Sequence, residues 1–74
     1  MKTYLTVMFN SEGARPSEVA NILYNLGFNA VQGNYDFEYD WGSNTDVKDL
    51  IWFGDKIHAA LKGYKVMFKL ESII

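Results

Sequence analysis

One segment, residues 34–41, constrains the fold more than any other part of the chain. It reads Asn-Tyr-Asp-Phe-Glu-Tyr-Asp-Trp, so aromatic and acidic residues alternate without a break. Such alternation is typical of a half-buried strand, because successive side chains point to opposite faces of a sheet. Burial of unpaired carboxylates is costly, whereas aromatic rings gain free energy from burial. The segment predicts a strand with Tyr35, Phe37, Tyr39 and Trp41 toward the core and with Asp36, Glu38 and Asp40 outward.

Length and composition indicate one small globular domain that spans residues 1–74. The chain is 49% hydrophobic and 16% aromatic, which argues against disorder, and a domain of 74 residues gains from assembly with a second copy. It has no cysteine, so disulfides and thiolate metal sites are excluded, as suits a reducing cytoplasm. No signal peptide or membrane-spanning run is visible, and a net charge of −2 lacks the positive field that nucleic-acid binding requires. We therefore expect a soluble cytoplasmic protein without nucleic-acid or membrane partners.

The first half of the chain predicts a strand, a helix and a second strand. Alternation over residues 2–9 puts Thr3, Leu5, Val7 and Phe9 on the buried side. Pro16 suits the first turn of a helix, and Gly27 suits the position after its end. The helix carries one apolar stripe, formed by Val19, Ile22, Leu23 and Leu26.

The second strand and the aromatic strand are predicted to form a hairpin. The second strand covers residues 28–32, and Gly33-Asn34 suits a tight turn. This turn places Ala30 opposite Phe37, so that the apolar residues of both strands share a face.

The second half continues with a helix and a last strand. Residues 42–45 offer N-cap oxygens, and Asp46 is expected in the first turn. The helix runs to about Lys62, and its core face is formed by Val47, Leu50, Gly54, Ile57 and Leu61, flanked by Ile51, Phe53 and His58. The last strand covers residues 64–70, with Lys65, Met67 and Lys69 outward, and Ser72, Ile73 and Ile74 form a tail without an evident partner.

The element order β-α-β-β-α-β predicts a ferredoxin-like α+β sandwich. In that fold both helices cover one face of a four-stranded antiparallel sheet with the strand order 4-1-3-2. The other face has no helix over it. The pattern puts acidic residues of the third strand at one side of that face and lysines of the last strand at the other.

Such a face is self-complementary under a twofold axis, so we expect a homodimer through it. The alternative is an ordinary solvated face. The predicted contact residues are Tyr4, Met8, Asp36, Glu38, Asp40, Lys65, Met67 and Lys69. Trp52 lies opposite the apolar stripe of its helix and is a further candidate for an interface, or it folds back against a nearby loop.

No constellation of catalytic or metal-binding residues is apparent. His58 is the single histidine and has no partner at ligand spacing, so a structural role is expected. The RNA-recognition motif has the same element order, but here the corresponding strand turns carboxylates outward, where they would repel phosphate. We therefore expect a protein that is not an enzyme, with no cofactor and no metal.

Two short segments resemble known regulatory domains. Residues 23–30, Leu-Tyr-Asn-Leu-Gly-Phe-Asn-Ala, look like the first helix and second strand of ACT domains, which sense amino acids at subunit contacts. Residues 33–37, Gly-Asn-Tyr-Asp-Phe, resemble the Gly-x-Tyr-Asp hairpin of the effector-binding domain of the Lrp/AsnC regulators. The second resemblance implies a small-molecule effector site between dimers at Gly33, Tyr35 and Asp36.

These observations predict a small regulatory or ligand-binding domain. Its ligand would be an amino acid or another small metabolite at a dimer contact. The alternative is a structural or protein-interaction module that uses the open sheet face and Trp52.

Overall fold

The computed structural model describes residues 1–42 and 45–73. In these residues the chain forms four strands and two helices: β1 (Lys2–Met8), α1 (Pro16–Asn25), β2 (Asn29–Ala30), β3 (Phe37–Asp40), α2 (Val47–Leu61) and β4 (Met67–Ile73). The predicted class is confirmed at this level: an α+β domain with one four-stranded antiparallel sheet and two helices. No helix in the described part of the chain is both long and apolar enough to cross a bilayer.

The sheet has the strand order β2-β3-β1-β4. β1 lies between β3 and β4, with Leu5 opposite Phe37 on one side and opposite Leu70 on the other. The two edges differ greatly in length, because β2 has two residues and β4 has seven. The long strand β4 is therefore the main exposed edge of the sheet.

Both helices pack on the same face of the sheet. The buried hydrophobic residues form one cluster: Leu5, Val7, Val19, Leu23, Phe28, Phe37, Phe53, Ile57 and Leu61. Because this cluster joins β1 to both helices, the opposite face of β1 carries neither helix. The predicted burial of alternate β1 residues holds for Thr3, Leu5 and Val7, but it is wrong for Phe9, which follows the end of the strand and is 43% exposed.

The aromatic segment is confirmed as a core strand from Phe37 onward. Phe37 is buried, and Tyr39 and Trp41 pack against the cluster with ring centroids 4.6 and 5.3 Å from that of Phe53. The prediction is wrong for Tyr35. β3 begins only at Phe37, so the alternation does not govern the residues before it, and Tyr35 lies on the other side of the sheet.

The predicted hairpin register is confirmed, with Ala30 opposite Phe37. The connection is longer than the predicted two-residue turn, because the strands end at Ala30 and resume at Phe37. Within it, the Val31 N–H donates to the Asp36 carbonyl at 3.0 Å, and Gly33 adopts a φ of +114°. Glycine tolerates this backbone conformation without the steric penalty of a Cβ atom.

Both predicted helices are confirmed, and Ile57 and Leu61 of the predicted α2 stripe are buried. Two other residues of α2 differ from the prediction. Phe53, expected at the flank, is 4% exposed, whereas Val47, expected in the stripe, is 65% exposed. Asp46 is the N-cap rather than a first-turn residue: its carboxylate accepts the Lys48 N–H at 3.2 Å, and Asp49 completes a capping box. The cap oxygens proposed at Ser43 and Asn44 lie outside the described residues.

The last strand begins three residues later than predicted and continues to Ile73. Lys65 was expected on the strand but precedes it, and its φ is +56°. Tyr64 also precedes the strand, where its carbonyl accepts the Ala14 N–H at 2.9 Å. The supposed tail is part of the sheet, since Ser72 pairs with Thr3 and Ile73 with Lys2, and Ile74 lies outside the described residues.

Candidate functional site

The helix-free side of the sheet, called the open face below, is the candidate site. Its side chains follow from the register of β1 with its two neighbours. They are Lys2, Tyr4, Thr6 and Met8 of β1, Glu38 and Asp40 of β3, and Met67, Lys69, Glu71 and Ile73 of β4. The face divides along the strands into an acidic end, a tyrosine pair and an apolar end.

The tyrosine pair crosses the middle of the open face. The ring of Tyr35, from the β2–β3 connection, stacks on that of Tyr4 with centroids 4.5 Å apart and planes 21° apart. The Tyr35 hydroxyl donates to Oε2 of Glu71 on the far strand. This hydrogen bond is the main reason that the pKa of Tyr35 is raised, followed by desolvation and the negative charge of Glu71.

The proposed effector residues do not converge on one place. Tyr35 points across the open face, whereas the Asp36 carboxylate accepts the Val7 N–H at 2.9 Å. The Asp36 backbone N–H also donates to the Leu5 carbonyl at 3.0 Å, so this residue holds the end of β3 to β1. Gly33 is exposed in the connection. Asp36 was expected to face outward, and it is exposed, but its carboxylate is bonded to the backbone of β1 rather than directed at a neighbouring site residue.

The acidic end contains Lys2, Glu38 and Asp40. Lys2 Nζ lies 3.5 Å from Glu38 Oε2, and both side chains are partly exposed. Asp40 Oδ1 accepts the Gly42 N–H at 2.9 Å. An exposed ion pair of this kind contributes about 0–1 kcal/mol to stability.

The charges on β4 differ from those predicted. Lys65 precedes β4 instead of lying on it. Glu71, which was not among the predicted contact residues, lies on the same face as Lys69. Opposite charges therefore alternate within β4 itself. The sequence contains a signal for Glu71, because apolar and polar residues alternate from Phe68 to Glu71.

The apolar end is formed by Met8 and Met67, which lie opposite each other. They are 65% and 71% exposed and form one apolar patch. Together with Thr6, Phe68 and Lys69 they line a shallow pocket of about 210 Å³. The lining is almost entirely apolar, and thioether side chains adapt their shape to a ligand. Thr6 and Lys69, two of the lining residues, carry a hydroxyl and an ammonium group.

Two other predicted residues lie away from the open face. His58 is exposed, and it lines a second pocket of about 260 Å³ between the end of α2 and the start of β4, together with Leu61, Lys65 and Phe68. Trp52 is 59% exposed on α2, with Lys56 Nζ 5.1 Å from the centre of its indole ring. Within residues 1–42 and 45–73, no three His, Cys, Asp or Glu side chains are grouped closely enough to hold a metal ion.

Comparisons of the chain with protein families, with curated proteins and with solved structures found no match. The resemblances to ACT domains and to Lrp/AsnC effector domains therefore stay predictions.

Proposed function

We propose that this protein is a non-enzymatic binding domain that holds a small, mostly apolar metabolite at the apolar end of the open face. The observation that carries the proposal is the pocket of about 210 Å³ between Met8 and Met67. Exposed apolar surface costs free energy in water, so a folded domain that keeps two adjacent methionines uncovered gains by covering them.

The size and lining of the pocket define the class of ligand. Pockets for drug-sized molecules begin at about 300 Å³, so a volume of about 210 Å³ suits a molecule of amino-acid size. Met8 and Met67 favour an apolar body, and the Thr6 hydroxyl and Lys69 ammonium favour a hydrogen-bond acceptor at its end. An amino acid with an apolar side chain meets both requirements.

Methionine methyl resonances provide a direct test, because the chain has three methionines and only two of them line the pocket. The protein labelled at its methionine methyl carbons would be titrated with leucine, methionine and phenylalanine, and with serine as a polar control. We expect the Met8 and Met67 resonances to shift with an apolar amino acid while Met1 stays in place. Unchanged Met8 and Met67 resonances with every apolar amino acid would refute the proposal.

The substitution Thr6→Val tests the polar contact in the same site. Valine keeps the shape of threonine and removes its hydroxyl. We expect about fivefold weaker binding of the same amino acid, since one hydrogen bond contributes roughly 1 kcal/mol. Equal affinity would show that Thr6 does not contact the ligand.

A protein-interaction module is the second candidate, and the exposure of Trp52 favours it. Tryptophan is enriched among residues that dominate binding energy at interfaces, and this one is 59% exposed. A partner that covers the ring would move the Trp52 fluorescence to shorter wavelength. Trp52→Phe, with Trp41 as the remaining tryptophan, identifies which indole responds.

We also propose that the domain belongs to the ferredoxin-like class. Two features support this: the order β-α-β-β-α-β, and a strand order that reads 4-1-3-2 from the β4 edge. The ferredoxin-like class also requires right-handed crossovers from β1 to β2 and from β3 to β4. An experimental structure with a left-handed crossover would exclude it.

A further inference from the structure

The outer edge of β4 carries backbone groups that no described segment pairs with. The Leu5 carbonyl and the Val7 N–H both point toward β3, where they bond to Asp36 at 3.0 and 2.9 Å. Backbone groups alternate in direction along an antiparallel strand, so the even residues of β1 point toward β4. Their partners are the odd residues of β4. Phe68, Leu70 and Ser72 consequently direct their N–H and C=O groups away from the sheet.

The side chains of β4 on the open face form a symmetric pattern. They are, in order, Met67, Lys69, Glu71 and Ile73: apolar, positive, negative, apolar. Met67 is 71% exposed and Ile73 is 48% exposed. Natural proteins protect a long edge strand with proline, bulges or charged side chains. Over its seven residues β4 has no proline and pairs with β1 without a bulge, and its two charges are of opposite sign.

We propose that β4 pairs antiparallel with β4 of a second copy, about a twofold axis through Leu70. This register places Lys69 opposite the partner's Glu71 and Met67 opposite the partner's Ile73. The outward backbone groups then bond as Leu70 with the partner's Leu70 and as Phe68 with the partner's Ser72. The two sheets become one continuous antiparallel sheet.

The charges select this register over its neighbours. Outward backbone groups must meet outward groups, so the nearest other symmetric registers are centred on Lys69 or on Glu71. Each of these puts two like charges directly opposite each other, which is destabilising. In the register centred on Leu70, both charged pairs are of opposite sign and lie at the more closely spaced, non-hydrogen-bonded positions. Tyr35 occupies only Oε2 of Glu71, which leaves Oε1 for the partner's lysine.

Exposed apolar residues also flank the same edge on the helix side. A Cβ atom at Gly54 of α2 would lie 3.8 Å from Leu70 Cδ1, so this side of α2 faces β4. Ile51 lies one turn before Gly54 on that side, and Val47 lies one turn before Ile51. These two residues are 62% and 65% exposed. Pairing through β4 brings them toward their copies and covers them.

A charge-swap experiment tests the contact. Sedimentation equilibrium should show a dimer for the natural sequence, and Lys69→Glu and Glu71→Lys should each weaken the dimer about tenfold or more, because like charges then face each other. An equal mixture of the two variants should restore association, since every facing pair is again opposite in sign. Tyr35→Phe removes the hydroxyl contact to Glu71 without changing any charge at neutral pH, and it should dimerise normally. A monomer at all concentrations, or a mixture that does not recover, would overturn the proposal.

Cross-linking distinguishes this edge contact from pairing through the open face. The chain has no cysteine, so a Lys69→Cys variant mixed with a Glu71→Cys variant under a mild oxidant should form a disulfide between unlike chains. Met8→Cys is the control, because Met8 is exposed on the open face but lies on β1, away from the edge. Rapid dimerisation of Met8→Cys alone, without the mixed disulfide, would show that the open faces pair instead.

Discussion

At the scale of single residues, Tyr35 and Asp36 are adjacent in sequence but contact different parts of the sheet. Tyr35 lies flat on Tyr4 and donates to Glu71, so it joins the β2–β3 connection to the open face. Asp36 instead supplies a side-chain oxygen where a regular strand would supply a carbonyl to Val7. Together they fix a connection that has no regular secondary structure of its own.

The contact with Glu71 makes Tyr35 titrate at higher pH than an ordinary tyrosine. Its pKa is raised above the usual value of about 10, because the hydrogen bond to Glu71 requires the protonated phenol. The contact therefore stabilises the fold below pH 10 and is lost as the pH rises through the folded-state pKa. Tyrosinate absorbance of Glu71→Gln should show one of the five tyrosines titrating earlier than in the natural protein. Superimposable titration curves would contradict this, and Glu18→Gln, a change in an exposed carboxylate of α1, is the control.

Gly27 is required by a close contact as well as by its backbone. Its φ is +102°, and an added Cβ atom would lie 2.8 Å from Tyr39 Cε1. Gly33 has a similar φ of +114°, but nothing lies within 4 Å of its Cβ position. We expect Gly27→Ala to reduce the free energy of unfolding by about 1–3 kcal/mol, and by more than Gly33→Ala, when both are measured by urea denaturation. Equal losses would show that the backbone alone sets the cost.

At the scale of elements, α2 is specified by its start and by the position of its largest apolar residue. Asp46 and Asp49 satisfy each other's backbone N–H groups at the first turn. The buried side then turns toward Phe53, whose ring stacks on Phe28 with centroids 5.4 Å apart. Phe53, Ile57 and Leu61 recur every four residues and form the buried side of the helix, and Val47 lies outside it in solvent.

The capping box of α2 makes a measurable contribution to stability. Asp46→Ala removes the oxygen that accepts the Lys48 N–H, and loss of such a cap costs about 0.5–2 kcal/mol. Asp55→Ala is the matched control, because Asp55 is an exposed aspartate inside the same helix. Thermal unfolding should show a lower midpoint for Asp46→Ala only. A similar decrease for Asp55→Ala would mean that the effect comes from charge rather than from the cap.

At the scale of the whole molecule, a chain of 74 residues relies on a single small core. Leu5, Val19, Leu23 and Ile57 are completely buried, and they connect β1 to both helices. Domains of this size have unfolding free energies of a few kcal/mol, so a single cavity removes a large part of the total. Among the residues that the structure describes, Thr3 is the one buried polar residue, and its hydroxyl accepts the Trp41 Nε1–H at 2.8 Å and lies 2.8 Å from Ser72 Oγ.

Two isoleucines of α2 allow the stability contribution of a buried position to be compared with that of an exposed one. Ile57 is 0% exposed and Ile51 is 62% exposed. We expect Ile57→Ala to cost about 2–5 kcal/mol, enough to unfold much of the population, whereas Ile51→Ala in dilute solution should change stability by about 0.5 kcal/mol or less. Circular dichroism with urea titration measures both. Equal costs would place the centre of the core elsewhere on the helix.

The sequence by itself determined the element order, the core stripe of α1, the hairpin register and the burial of Phe37. In each of these places hydrophobic periodicity, turn residues and burial favour the same arrangement, so a local pattern is sufficient. The open face was also predictable as a surface, because polar and apolar residues alternate along β1 and β4.

Only the tertiary structure decided where Tyr35, Asp36, Glu71 and Val47 lie. Side chains alternate between the two faces of β3 only from Phe37 onward. Whether Tyr35 faces the core or the open face therefore depends on its contacts with Tyr4 and Glu71, which are distant from it in sequence. The bounds of β4 likewise depend on pairing with β1, which extends to Ile73 and places Lys69 and Glu71 together on the free edge. Periodicity reports which residues share a face within one element, whereas contacts between elements decide where that element begins and which partner its side chains meet.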